Sequence, residues 1–203
     1  MPKIVIVDLG LGNLRSVENG LEKAGSTAFI TGRKEEIREA DAIVLPGVGA
    51  FEDATRNLKP LSETLLDQVE SGKPLLGICL GLQLLFTTSM EGGTYDGLDV
   101  LNGKIIRLPE SVKIPQIGWN TLKIVKPESP LCSGIPENAF VYFVHSYYAE
   151  VENRNDIDTL TEYGIEFPSV VSRKHVFATQ FHPEKSGHVG LQMLENFVRY
   201  IKA

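Results

Sequence analysis

The sequence predicts an α/β protein, a single domain over residues 1–203 with a mixed, mostly parallel sheet flanked by helices. Three observations lead there. Short apolar runs alternate with helical patterns through the first half, and the second half is dense in strand signals. The 203 residues contain no linker, repeat or low-complexity tract, so they suit one core of their own.

The elements follow in order. KIVIVDL opens as a strand, Asn13 to Ala24 reads as a helix, and TAFIT as a second strand. A charged helix from Lys34 to Ala40 then leads to AIVLP, which completes the strand–helix–strand–helix–strand alternation of a parallel sheet. Leu61, Leu65 and Val69 recur at helical spacing until Gly72 stops them, after which PLLGIC is a buried strand that runs into a helical LGLQLLF. GKIIRL, TLKIV, FVYFVHSYY, PSVVSR and HVFATQF are strand-like and add antiparallel or mixed sheet. Val189, Met193, Phe197 and Ile201 mark an amphipathic C-terminal helix.

Composition narrows the partners. Twenty basic against 26 acidic side chains give a net charge of −6, which argues against a nucleic-acid or anionic-membrane footprint and leaves small molecules and proteins. The apolar run before Asp8 lacks the length of a secretory signal, and Pro74 to Phe86 is too short and glycine-broken to span a bilayer, so a soluble, cytoplasmic protein is expected. In that compartment Cys79 and Cys132 are not expected to pair.

Cys79 lies in GICLG, where the fourth strand turns into a helix. A nucleophile on such a turn needs small neighbours, because the chain is sharply bent and a β-carbon at Gly77 or Gly81 would collide with adjacent backbone. A sulfur at the start of the following helix also meets partial positive charge that favours thiolate. The alternative is a core cysteine beside two packing glycines.

Among four histidines, His182 in QFHPEKS is the candidate base. Pro183 biases His182 toward extension, so Glu184 two residues on can share its face, hold Nδ1–H and leave Nε2 to the sulfur. A surface pair, or a metal pair recruiting His188, are the other readings; no Cys/His cluster with ligand spacing supports a metal. For an oxyanion, the Leu80 N–H is one donor and Val48, in PGVG, the second. Gly47 and Gly49 leave the peptide at Val48 free to rotate, although an ordinary strand-ending turn would look the same. The DLGLGN run resembles a dinucleotide fingerprint, but its third glycine position is Arg15, which weakens that reading.

GICLGLQ, FHPE and PGVG together resemble the class I (triad) glutamine amidotransferases. DLGLGNLRSV, KIPQIGWN, YFVHSYY and HPEKS are most similar to the glutaminase subunits of imidazole glycerol phosphate synthase within that superfamily. The resemblance implies L-glutamine as substrate, with Cys79 attacking its side-chain amide, His182 protonating the departing ammonia and Glu184 holding His182. It also implies that Gly49, Gln83, Glu91 and the His145–Ser146–Tyr147 segment contact glutamine, and that no cofactor is needed. The implied partner is a cyclase (synthase) subunit, expected as a (β/α)8 barrel in a heterodimer that makes imidazole glycerol phosphate for histidine biosynthesis. Asn13, Trp119 and Lys185 are expected to face it, and the isolated chain is expected to be a poor glutaminase until it docks. The pattern departs at Gln116-Ile117, where the family often has His-Met, and at Leu9, where it often has Tyr. A glutaminase serving pyridoxal phosphate or anthranilate synthesis, or a silent regulatory subunit of the same fold, are the competing functions.

Overall fold

The computed structural model describes residues 1–12 and 14–203. The chain runs β1 (Lys3–Val7), α1 (Leu14–Lys23), β2 (Thr27–Thr31), α2 (Lys34–Glu39) and β3 (Ala42–Leu45). Next come α3 (Phe51–Leu58), α4 (Ser62–Glu70), β4 (Leu75–Ile78), α5 (Leu80–Leu84) and β5 (Phe86–Ser89). The second half is β6 (Tyr95–Asp96), β7 (Leu101–Arg107), β8 (Gln116–Thr121), β9 (Lys123–Ile124), β10 (Phe140–His145), β11 (Tyr147–Val151), β12 (Ile157–Glu162), β13 (Glu166–Arg173) and β14 (Val176–Thr179), then α6 (Gly187–Ile201).

The main sheet has eight strands in the order β2-β1-β3-β4-β14-β13-β12-β9. From β2 to β14 the pairings are parallel, and β14-β13-β12-β9 is antiparallel. Strands buried on both faces read as unbroken apolar runs, which is why KIVIV and AIVL lack a polar alternation. Ile4, Ile6, Val44 and Leu76 pack on the side of α1 and α6, while Val5, Val7, Ile43 and Leu75 pack on the side of α2, α3 and α4. In α6, Met193, Leu194, Phe197 and Val198 are buried, each stabilising by about 1.5–3 kcal/mol relative to exposure.

Three expected elements differ. LGLQLLF is helical only to Leu84, and Phe86 starts a strand that pairs with β7. FVYFVHSYY breaks at Ser146: β10 pairs with β8 as a separate two-stranded ribbon, and β11 joins β7 in a four-stranded sheet. TLKIV yields only the two-residue β9, because the strand before it starts earlier, at Gln116, and ends at Thr121. Helix α3 was not expected, although Phe51, Ala54 and Leu58 are its buried face at helical spacing.

Strand order positions the chemistry. β3, β4 and β14 are neighbours, so the segments leaving their carboxyl ends, Pro46–Gly49, Cys79 and Gln180–Glu184, come side by side. In open α/β sheets this edge is where ligand crevices form. Among the described residues no helix is long and apolar enough to cross a membrane.

Candidate active site

Cys79 has φ 54° and ψ −105°, a conformation rarely taken by a side-chain-bearing residue, which costs on the order of 1–3 kcal/mol. Its own N–H donates to the Thr179 carbonyl at 2.7 Å, and its carbonyl accepts from the Gln83 N–H at 3.2 Å. The flanking glycines are required as the sequence implies. A β-carbon at Gly81 would lie 1.6 Å from the Leu45 oxygen, and one at Gly77 would lie 2.9 Å from the Gly81 oxygen. α5 is only five residues long, so the helix contributes less positive field at the sulfur than a full helix would.

His182 is buried, and its Nδ1 lies 2.8 Å from Glu184 Oε1. The two share a face by a route other than continued extension: His182 is extended, but Pro183–Lys185 forms a 3-10 turn. The turn is fixed by Ser186, whose hydroxyl donates to the His182 carbonyl at 2.6 Å and accepts from the Tyr142 N–H at 2.9 Å. Burial alone disfavours the imidazolium, but the adjoining Cys79 sulfur and the Glu184 carboxylate outweigh it and push His182 up to about 10. Nε2 has no hydrogen bond of full geometry at rest, and Glu184 Oε2 is likewise buried without a partner among the described residues. These atoms suit a site in which proton transfer waits for substrate.

The sulfur opens into a cleft of about 270 Å³ lined by Val48, Gly49, Leu80, Gln83, Glu91, Pro115 and the segment from Val144 to Tyr147. Every expected glutamine-contacting residue is on that wall. A larger groove of about 440 Å³ runs between α1 and α6 and touches Glu184 from behind, but Cys79 does not reach it. The smaller cleft is therefore the one the nucleophile serves. Burial raises the Glu91 carboxyl, partly offset by the Phe51 N–H donating to it at 3.3 Å. An ammonium group arriving there would act in the opposite direction to burial and favour the carboxylate.

Leu80 and Val48, expected as the oxyanion donors, both line the cleft. The Leu80 N–H donates to the Gly47 carbonyl at 3.3 Å. In a trans peptide the N–H points opposite to the C=O, so the Val48 N–H faces away from Leu80. It lies against Gly12, where a β-carbon would be 3.3 Å from the Val48 nitrogen.

Cys132 is packed in the core, where burial, with the Asp158 charge second, pushes its thiol up to about 12. Trp119 is 55 % exposed and edge-on to Tyr142, with Ile117 and Phe140 also exposed on the same ribbon, so it is not a core residue. Lys185 is exposed and borders a small cavity with Gly12, Val48 and Glu184. Asn13 lies outside the described residues. Among the described residues, no three His, Cys, Asp or Glu side chains gather where they could hold a metal ion. Gln116, one of the departures from the family pattern, is buried behind the cleft with its Oε1 2.9 Å from His145 Nε2. Gln180 and Val144 beside the sulfur were not singled out, although they lie within QFHPEKS and YFVHSYY.

A strained cysteine facing a histidine–carboxylate pair across a parallel sheet edge defines a class, and the match of residues 5–201 to the family Glutamine amidotransferase class-I places the chain in it. The imidazole glycerol phosphate synthase subunit HisH of Methanosarcina mazei is 54% identical over 201 residues, covering 98% of both chains. That of Methanosarcina barkeri is 53% identical with the same coverage. Within the class, the chain belongs to this family of synthase subunits. The structure of PurLQS from Thermotoga maritima aligns with a TM-score of 0.79 at 18% identity over 98% of each chain, which shows the shared fold.

Proposed function

We propose that residues 1–203 act as one glutaminase domain that hydrolyses L-glutamine to glutamate and ammonia, with the ammonia passed to a cyclase subunit forming imidazole glycerol phosphate in histidine biosynthesis. The Cys79 thiolate attacks the side-chain amide carbon, and the carbonyl π electrons move onto oxygen. When the tetrahedral centre collapses, the C–N bond breaks and His182 gives its proton to the leaving nitrogen, producing ammonia and a glutamyl thioester. Water then attacks the thioester, His182 takes its proton, and the sulfur departs with glutamate released. Glu184 holds the imidazole through Nδ1 and stabilises its positive charge throughout.

The single observation that carries this reading is that the cleft at Cys79 includes all six positions expected to contact glutamine. Glu91 suits the α-amino group, and the backbone of residues 145–147 suits the carboxylate side. Val48 and Leu80 receive the oxyanion once the peptide between Gly47 and Val48 turns its N–H inward.

The partner is a (β/α)8 cyclase in a cytoplasmic heterodimer, docked on the exposed ribbon that carries Trp119 and reaching Asn13 and Lys185. The names of the relatives favour this partner over pyridoxal phosphate or anthranilate synthases. A test is treatment with a glutamine-analogue alkylator: one mass equivalent at Cys79, together with loss of glutamate release, is expected. An unmodified Cys79 in an inactivated or inert protein would support a silent subunit or another mechanism.

A further inference from the structure

Four buried polar side chains from different parts of the chain form one connected network behind the nucleophile. Gln83 on α5, Gln116 on β8, His145 on β10 and Gln180 after β14 are each 5% exposed or less. Buried amides and imidazoles are costly unless hydrogen-bonded, so their partners fix which end of each group faces which neighbour. Burial pulls His145 down to about 4, and the neutral ring has one N–H. The Tyr147 carbonyl can only accept, so Nδ1, 2.8 Å away, carries that hydrogen. Nε2 lies 2.9 Å from Gln116 Oε1, and the neutral ring is satisfied there when the Gln116 amide presents its NH2 in place of that oxygen.

The same Tyr147 carbonyl accepts from Gln83 Nε2 at 3.1 Å, and the remaining Gln83 hydrogen faces Gln180 Oε1 at 3.5 Å. With its oxygen committed to Gln83, Gln180 has its NH2 turned to Cys79 Sγ, 3.8 Å away. On the other side of the sulfur, the Val144 carbonyl lies at 3.7 Å, and His182, the titratable group that adjoins the sulfur, favours the thiolate in the parent chain and in both variants below alike. The amide and the carbonyl prefer opposite protonation states. A carbonyl accepts from S–H and suits the thiol, whereas an amide N–H suits the thiolate.

We propose that Gln180 is a further catalytic residue of the glutaminase reaction: its side-chain amide donates to the Cys79 sulfur, favours the thiolate over the thiol held by Val144, and is kept in that orientation by Gln83. The proposal rests on Cys79 being the nucleophile. Hydrogen bonds reinforce one another along such a chain, so the donor at the sulfur is stronger for the bonds behind it.

The test is alkylation of the full chain with iodoacetamide, followed by mass spectrometry at Cys79 across pH. Gln180→Met keeps the volume and removes the donor. It is expected to slow Cys79 alkylation about tenfold at neutral pH and to move the profile toward higher pH, with the high-pH plateau unchanged; a one-unit displacement corresponds to that factor. Gln83→Leu, which frees the Gln180 amide to rotate, is expected to move the profile the same way by less. An unchanged profile in folded Gln180→Met overturns the proposal, even if glutaminase activity falls. If Gln180→Met does not fold, an unchanged profile in Gln83→Leu overturns it. Failure of the underlying reading looks different, because Cys79→Ala would then still release glutamate.

Discussion

The Gly47 carbonyl accepts a hydrogen bond from the Leu80 N–H, 3.3 Å away. One bond thereby withholds both of the proposed oxyanion donors: Leu80 is occupied, and the Val48 N–H on the other side of the same peptide is turned away, its nitrogen lying against Gly12. Opening the hole requires that peptide to turn over. The turn swings the larger carbonyl oxygen toward the space now filled by an N–H.

Gly12 sets the room for that turn. It has φ 94°, and a β-carbon there would lie 3.3 Å from both the nitrogen and Cγ2 of Val48. Gly12→Ala is expected to leave the unstimulated rate of glutamate release in place while reducing the stimulation given by a ligand-bound cyclase. Stability is expected to fall by roughly 1 kcal/mol from the left-handed backbone. Glutaminase assays with and without partner, alongside a denaturation curve, separate the two effects. Undiminished stimulation would show that Gly12 does not limit the rotation.

The two cysteines are expected to behave oppositely. Cys79→Ala abolishes glutaminase activity, and Cys132→Ala, which removes a core thiol, leaves it largely intact at a modest cost in stability. Because members of the proposed triad act as a unit, adding His182→Ala to Cys79→Ala is expected to produce little further loss. Single-turnover glutamate release checks both statements.

Trp119, Ile117 and Phe140 form an exposed apolar strip on the β8–β10 ribbon. Trp119→Ala is expected to weaken cyclase binding by about 2 kcal/mol or more, roughly 30-fold, with little change in Tm. Titration calorimetry and a melting curve on the same variant are sufficient. A large drop in Tm with unchanged affinity would return Trp119 to a structural role.

His145 gives the fold a specific acid limb. Its pKa is lowered from 6.5 to about 4, first by burial. Between those values the unfolded chain binds more protons than the folded one, so stability rises with pH across that window and is lost as pH falls through it. His145→Gln is expected to flatten this part of the Tm–pH curve relative to the parent chain, other carboxylates contributing equally to both. An unchanged slope would mean that His145 charges without cost in the folded state.

What the sequence disclosed and what it hid divide by range. The parallel half and the elbow rest on local patterns: apolar runs of strand length, and glycines two residues either side of Cys79. His182 and Glu184 were legible because they are two residues apart. FVYFVHSYY hid its break at Ser146, since β10 and β11 alternate alike and only their distant partners, β8 and β7, tell them apart. The amide network was invisible for the same reason: Gln180 meets Gln83 across 97 residues and Cys79 across 101. Gln180 opens QFHPEKS, but nothing in that block says that its side chain meets Gln83 and the sulfur until the fold supplies those neighbours.

The most direct test is steady-state glutamate release by the chain alone, with the cyclase subunit, and with the cyclase carrying its ligand. Losing one oxyanion donor costs on the order of 10²–10³ in rate, and under the proposed assignment of Leu80 and Val48 the bond between Leu80 and Gly47 withholds both donors. Low activity alone and a rise of at least that scale in the fully liganded complex are expected. Full activity in the isolated chain would contradict the account, because a closed oxyanion hole cannot support it.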